Sequence, residues 1–264
     1  MQTAVDIAAV ASRDGVALVP VGATEQHGPH LPVSTDTEIA VALATAAVER
    51  VTPEVATWVL PAVAFGFSPE HAGRPGTISL SAETLLALVD DVGRGVAASG
   101  IRRLVFVNGH GGNPELLHVA CRRLRGHLSL AAFAVHAPGL PLPTGMLDDV
   151  THGDRDAHAG HYETSVMLTV HPAAVDLDTA RADGVTAVEE RANSPLRPFG
   201  AVSVPWHVDD LSSSGTIGDP TTADAGWGAR ALAAQANALA EIIRAVAADP
   251  LPPEWLHSGR GERG

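Results

Sequence analysis

Val16-Ala17-Leu18-Val19-Pro20-Val21, followed at once by Gly22-Ala23-Thr24-Glu25-Gln26-His27-Gly28-Pro29-His30-Leu31-Pro32, is the stretch that decides how this chain is read. A short Val-rich apolar run bounded by Gly predicts a buried strand. The loop leaving it is dense in polar chemistry, and ligands bind at the carboxyl ends of strands in open parallel sheets. Thr35-Asp36-Thr37-Glu38 then opens an Ala-rich helix predicted to run to about Val51.

Strands and helices alternate outward from this unit. A helix over Val5 to Ala11 precedes it, and a second strand is predicted at Thr57 to Val63. Ser81-Ala82-Glu83 starts a helix whose apolar stripe is Leu85, Leu88, Val89, Val92 and Val96, with Gly100 at its end. Arg103 to Val107 is a third strand, Asn108 to Asn113 a loop, Pro114 to about Leu124 a helix, and Ser129 to Val135 a fourth strand. The pattern predicts an α/β fold with a largely parallel sheet covered by helices.

Ala137 to Asp156 is a long loop rich in Pro, Gly, Asp and His, of a length that belongs to functional lids or to disordered segments. A helix is predicted over His161 to Val170, an irregular segment over Ser194 to Asp219, and a long helix over Thr222 to Ala247. Residues 1–248 are expected to form one domain, and 249–264 a loose tail.

Composition narrows the function classes. Hydrophobic residues at 45% against 18% charged exclude a generally disordered chain. A formal charge of -13, with no basic run, argues against nucleic-acid partners. No uncharged apolar stretch reaches the roughly 18 residues of a membrane span, and Met1 to Val21 does not read as a signal peptide. The single Cys121 cannot form an internal disulfide. A cytoplasmic protein fits these observations.

Three clusters carry the chemistry. In an extended backbone Glu25 and His27 face the same side, so a carboxylate and an imidazole can converge on one ion, with Asp36 returning beside them. The alternative is that Asp36 serves its helix dipole and the other two are exposed loop polars. Asn108-Gly109-His110-Gly111-Gly112-Asn113 again follows a strand; its glycines either admit a substrate to backbone N–H groups or simply form a tight turn. Asp156-Ala157-His158-Ala159-Gly160-His161-Tyr162-Glu163 enters the helix after the long loop, where Glu163 could equally answer the helix dipole.

Together these clusters resemble the creatininase family, from about Val16 to Ala225. The resemblance also includes Glu70-His71, Pro75-Gly76-Thr77-Ile78-Ser79, Glu163-Thr164-Ser165, and Ser214-Gly215 with Gly218-Asp219-Pro220. It implies a three-layer α/β/α sandwich, commonly a hexameric homo-oligomer, with two divalent metal ions bridged by a carboxylate and a water. Glu25, His27, Asp36 and His110 match metal ligands, Asp36 being the bridge, and His158 matches a proton-handling histidine. Creatinine-cleaving members place a further Glu ligand two residues after the histidine of the third strand's loop, where this chain has Gly112. Glu163 is the candidate to replace it.

All these ligands are oxygen or imidazole, which suits Zn, Mn or Fe. The implied activity is hydrolysis of a C–N amide or lactam bond in a small-molecule amide, with His71, Gly111 and Gly112 as substrate contacts. Creatinine itself fits poorly, because its hydrolases close a Trp-bearing loop over the ring and the segment from Ala137 to Asp156 has no Trp; Tyr162 and Trp206 are the nearest replacements. The Gly-Gly form also resembles formamide hydrolases and the mycofactocin-system peptidase, the latter supported by His161 beside His158. A metal-binding scaffold is the non-enzyme alternative. His30, His152 and His161 either line the pocket or are simply polar loop residues.

Overall fold

The computed structural model describes residues 2–148, 150, 156–192, 194–196, 202 and 204–251. A four-stranded sheet lies at the centre: β1 (Val16–Val21), β2 (Thr57–Val59), β3 (Arg103–Asn108) and β4 (Ala131–His136). The order is β2-β1-β3-β4, and every pairing is parallel. Around it pack α1 (Ala4–Ser12), α2 (Thr35–Val51), α3 (Ala82–Ala98), α4 (Pro114–Leu128), α5 (His161–Val170), α6 (Val185–Ala192) and α7 (Ala225–Ala248).

Every residue of β1 and β3 is buried, because each strand lies between two others and helices cover both faces. Side chains alternate between those faces. Val16, Leu18, Val105 and Val107 pack against Leu43 and Ala47 of α2 and Leu239 and Ile243 of α7. Ala17, Val19, Leu104 and Phe106 pack against Val10 of α1, Leu85 and Val89 of α3, and Leu117 and Leu124 of α4. The three layers are those expected.

Several boundaries differ from expectation. β2 stops at Val59, and pairing resumes only as a single bridge between Val21 and Val63. The carbonyls of Leu18 and Pro20 both face this edge, accepting from Leu60 and Val63. Pro20 has no N–H to return to Leu60, so the ladder is interrupted there. α4 continues to Leu128, where Ser129 adopts a φ of 50° and displaces β4 to Ala131. α7 begins at Ala225 because Asp224 caps it, accepting from the Trp227 N–H at 2.7 Å. α6 has no counterpart in the sequence reading. His152 and the tail from residue 252 onward lie outside the described residues.

α7 is long and apolar enough, by length and composition, to cross a membrane. Here Ala236, Leu239, Ala240 and Ile243 enter the core instead. Its Arg244 pairs with Glu54 and Glu241 on the outer side.

From β1 the chain passes to β2 on one side, then returns past β1 to β3 on the other. The carboxyl ends of β1 and β3 therefore flank a crevice, the topological switch point at which open α/β sheets bind ligands.

Candidate active site

The loop after β1 is pinned from outside: Glu25 N–H donates to Val33 O at 3.0 Å, Gln26 N–H to Thr77 Oγ1 at 3.0 Å, and Ile78 N–H to Thr24 O at 2.8 Å. Glu25 and His27 consequently turn into the crevice, while Gln26 between them turns to Gly215. Asp36, in the first turn of α2, is 1% exposed and serves the site rather than solvent. Its Oδ1 lies 3.1 Å from His27 Nε2 and its Oδ2 3.1 Å from His110 Nδ1. The loop after β3 supplies His110, stitched to β1 by Gly109 N–H donating to Val21 O at 2.8 Å.

Backbone carbonyls orient the first two imidazoles. His27 Nδ1 is 3.1 Å from Glu25 O, and His110 Nε2 is 2.9 Å from Phe67 O. The opposite nitrogen of each ring faces the carboxylates, an arrangement that fixes metal-ligating histidines. Glu163 stands in the first turn of α5, its Oε2 accepting from Ala159 N–H at 2.6 Å and lying 3.9 Å from His27 Nε2. Ligand atoms of His27, Asp36 and Glu163 fall within 4.8 Å of one another, as do those of Glu25, Glu70 and His110, and those of Glu25, His27 and His158.

The electrostatics call for a cation. Both oxygens of Glu25 and Asp36 Oδ2 are buried and make no well-formed hydrogen bond, and only imidazole nitrogens stand near them. Buried carboxylates are costly unless paired with positive charge, which either protonated imidazoles or a metal can supply. Burial opposes charge on His27, yet Asp36, Glu163 and Glu25 raise its pKa to about 10. Burial likewise opposes charge on His110, and Glu25 and Asp36 still hold it well above the ordinary value. Burial pushes Glu163 up to about 8, against the pull of His27. Asp36 stays depressed despite burial, held by His27 and His110. The carboxylates thus favour protons on His27 and His110, the same atoms that a metal ion would take.

His158 and His71 differ. Burial, then the charge on His27, drives His158 well below the ordinary value, and burial takes His71 to about 4 although Glu25 opposes it. Both rings are neutral near pH 7. Their centroids are stacked 4.2 Å apart, and Trp206 meets His71 edge-on at 6.2 Å.

These groups sit at the floor of a cavity of about 1110 Å³. Its walls include His71, Gly111, His136, Tyr162 and the segment from Val204 to His207. Gly112 stands behind the wall, against Phe67 O and Glu70. His30 and His161 lie elsewhere: His30 Nε2 bonds Thr164 at 2.9 Å and His161 Nδ1 bonds Thr222 at 3.1 Å. Most of the described part of the Ala137 to Asp156 loop is anchored away from the cavity, with Val150, Met146 and Leu142 packed on Trp227 of α7. Two site residues escaped the sequence reading. Glu70, beside His71, groups with Glu25 and His110, and Gln26 occupies the alternating position between Glu25 and His27.

A parallel α/β sheet with buried carboxylates and imidazoles at its switch point defines an α/β protein with a candidate metal centre. The sequence matches the family model described as "Creatinine amidohydrolase" over residues 1–243. It is 41% identical over 229 residues to "Mycofactocin precursor peptide peptidase" of Mycolicibacterium smegmatis, covering 86% of this chain and 83% of that one. It is 37% identical over 193 residues to "Creatinine amidohydrolase" of Pseudomonas putida, covering 65% and 70%. Among solved structures, one named "Creatininase Mn" superposes with a TM-score of 0.77 at 28% identity, covering 94% of this chain and 97% of that one. The chain belongs to the creatininase family of metal-dependent amidohydrolases.

Proposed function

We propose that this chain is a metal-dependent peptidase that cleaves an amide bond in a precursor peptide of the mycofactocin type. The observation that carries the reading is the 41% identity to the peptidase over 86% of this chain and 83% of that one. The cavity of about 1110 Å³ over the carboxylates and imidazoles has room for a peptide end as well as for a small amide.

Glu25, Asp36 and His110 would hold one divalent ion, and His27, Asp36 and Glu163 a second, with Asp36 shared; the donors suit Zn, Mn or Fe. Such ions, when bound, lower the pKa of water and polarise a carbonyl. The chain's own groups do the rest. His158 Nδ1, 3.6 Å from Glu25 Oε1, handles the proton passed to the departing nitrogen. His71 and the Gly111 N–H on the cavity wall orient the scissile amide. A cytoplasmic homo-oligomer, hexameric as the resemblance implies, completes the reading.

A compact amide or lactam is the second reading, favoured by the 37% identity to a creatinine amidohydrolase and by Trp206 standing edge-on to His71. The test incubates metal-loaded protein with a synthetic precursor C-terminal peptide and, in parallel, with lactams and formamides, reading products by mass spectrometry. Cleavage of the peptide alone supports the first reading, and turnover of the small amides alone replaces it with the second. A fully metal-loaded protein that acts on neither overturns both.

A further inference from the structure

Gln26 has its side-chain amide fixed from two directions. Gly28 N–H donates to Oε1 at 3.0 Å, and Nε2 donates to Gly215 O at 3.1 Å. Gly215 takes a φ of 95°, and a Cβ there would fall 1.9 Å from Gln26 Oε1, so this packing requires glycine. One amide hydrogen remains, and it faces two imidazole nitrogens: His71 Nδ1 at 3.0 Å and His158 Nε2 at 3.1 Å.

It can serve only one of them. His158 Nε2 also lies 2.7 Å from the backbone oxygen of Gln26, a group that only accepts. That nitrogen must therefore carry its own hydrogen and donate it. The remaining amide hydrogen goes to His71 Nδ1, which must be bare. His71 is left with its hydrogen on Nε2, 3.5 Å from Glu25 Oε1, and His158 with a bare Nδ1, 3.6 Å from the same oxygen.

We propose that Gln26 is a positioning residue that holds both His71 and His158 as the Nε2–H tautomer; because the two rings turn opposite nitrogens to Glu25, this places one N–H donor and one bare imidazole nitrogen side by side over its carboxylate. Its backbone carbonyl fixes His158, and its side chain fixes His71. The use made of the pair rests on the amide-hydrolysis reading above, but the tautomers do not. In that reaction His158 Nδ1 accepts the proton lost by the attacking water and returns it to the departing amide nitrogen, as the C–O bond forms and the C–N bond breaks. His71 Nε2–H donates to the amide's carbonyl oxygen. With the tautomers reversed, neither could act.

The test is a long-range proton–nitrogen correlation spectrum of the full chain, labelled at histidine nitrogen and loaded with diamagnetic zinc. Wild type should show His71 bare at Nδ1 and His158 bare at its Nδ1, each protonated at Nε2. Gln26→Met removes the side-chain donor, so His71 should become a tautomer mixture while His158 keeps its pattern. Gln26→Glu offers an acceptor instead, and should move the His71 hydrogen to Nδ1. In either variant kcat should fall roughly tenfold to a hundredfold, as for residues that orient site histidines, with metal content unchanged.

A wild-type His71 protonated at Nδ1, or a His71 spectrum unaltered in both variants, overturns the proposal. The wild-type spectrum alone decides the first point even if a variant fails to fold. The stated tautomers in a protein without amidase activity would sink the hydrolase reading and leave Gln26's role standing.

Discussion

Glu163 Oε2 and His27 Nε2 face each other across 3.9 Å, one from the first turn of α5 and one from the loop after β1, with Asp36 closing the third side. A helix dipole would account for a carboxylate at the start of α5, but not for one directed at an imidazole that itself contacts Asp36. Residue 112, which follows His110 by two, has no side chain to contribute. Glu163→Gln should reduce bound metal from about two ions to about one per chain, as expected when a two-metal site loses a ligand. Elemental analysis of both proteins checks this. An undiminished count would remove Glu163 from the ligand set.

Gly112 cannot simply be given a side chain to imitate the creatinine-cleaving relatives. A Cβ there would lie 2.2 Å from Phe67 O, 2.6 Å from His110 Nε2 and 2.7 Å from Glu70 Oε1. The first contact is backbone and cannot swing aside, and the second disturbs the ring that faces Glu25 and Asp36. Gly112→Ala should cost about 1–3 kcal/mol through overpacking and weaken metal binding roughly tenfold or more through misorientation of His110. Thermal denaturation with a metal titration measures both. A variant as stable and as tightly metallated as wild type would show that the loop yields.

The sheet was legible because β1 and β3 are uninterrupted apolar runs, and the loops leaving them were legible because their polar residues follow at once. The alternation of Glu25 and His27 held, since the loop stays extended between its anchors at Thr77 and Val33. What the sequence did not disclose depends on contacts distant along the chain. Gln26 reads as a spacer until Gly215 and two histidines are brought to it, and β2 is shortened by a proline in a different strand. α6 follows Asp183, whose role is visible only once residues 212–214 fold back over it.

Asp183 gathers that segment: its Oδ2 accepts from Ser212 Oγ at 3.0 Å, Ser213 N–H at 3.0 Å and Ser214 N–H at 2.8 Å, and its Oδ1 accepts from Gly184 N–H at 2.8 Å. Burial opposes the charge, but the bonds from Ser214, Gly184 and Ser212 hold the carboxyl below its ordinary range. With the folded pKa depressed, its stabilisation is present above the unfolded value of about 3.9. It is lost as pH falls below that. Asp183→Asn should cost about 1 kcal/mol at pH 7, a modest figure because the carboxylate is partly solvated. Its acid-unfolding curve should also be shallower than that of wild type below pH ~4. Urea titrations at pH 7 and pH ~2.5 check both, and a loss as large at the acid pH as at pH 7 would contradict the assignment.

Metal uptake should release protons. Without ions, His27 holds a proton up to about pH 10 and Glu163 up to about 8, and His110 is raised in the same direction. A ligand must shed its proton before it can coordinate, so metal and proton compete for these atoms. The sign follows directly: raised pKa values mean that affinity climbs with pH and keeps climbing above pH 7, where ordinary His and Glu ligands would already be bare. The dissociation constant should fall about tenfold per pH unit for each proton displaced. Competition with a chelator of known affinity at pH 6, 7 and 8 gives the slope. A dissociation constant that is flat above pH 7 would mean that the ligand atoms are already unprotonated in the metal-free protein, and that the buried carboxylates are neutralised by some other means.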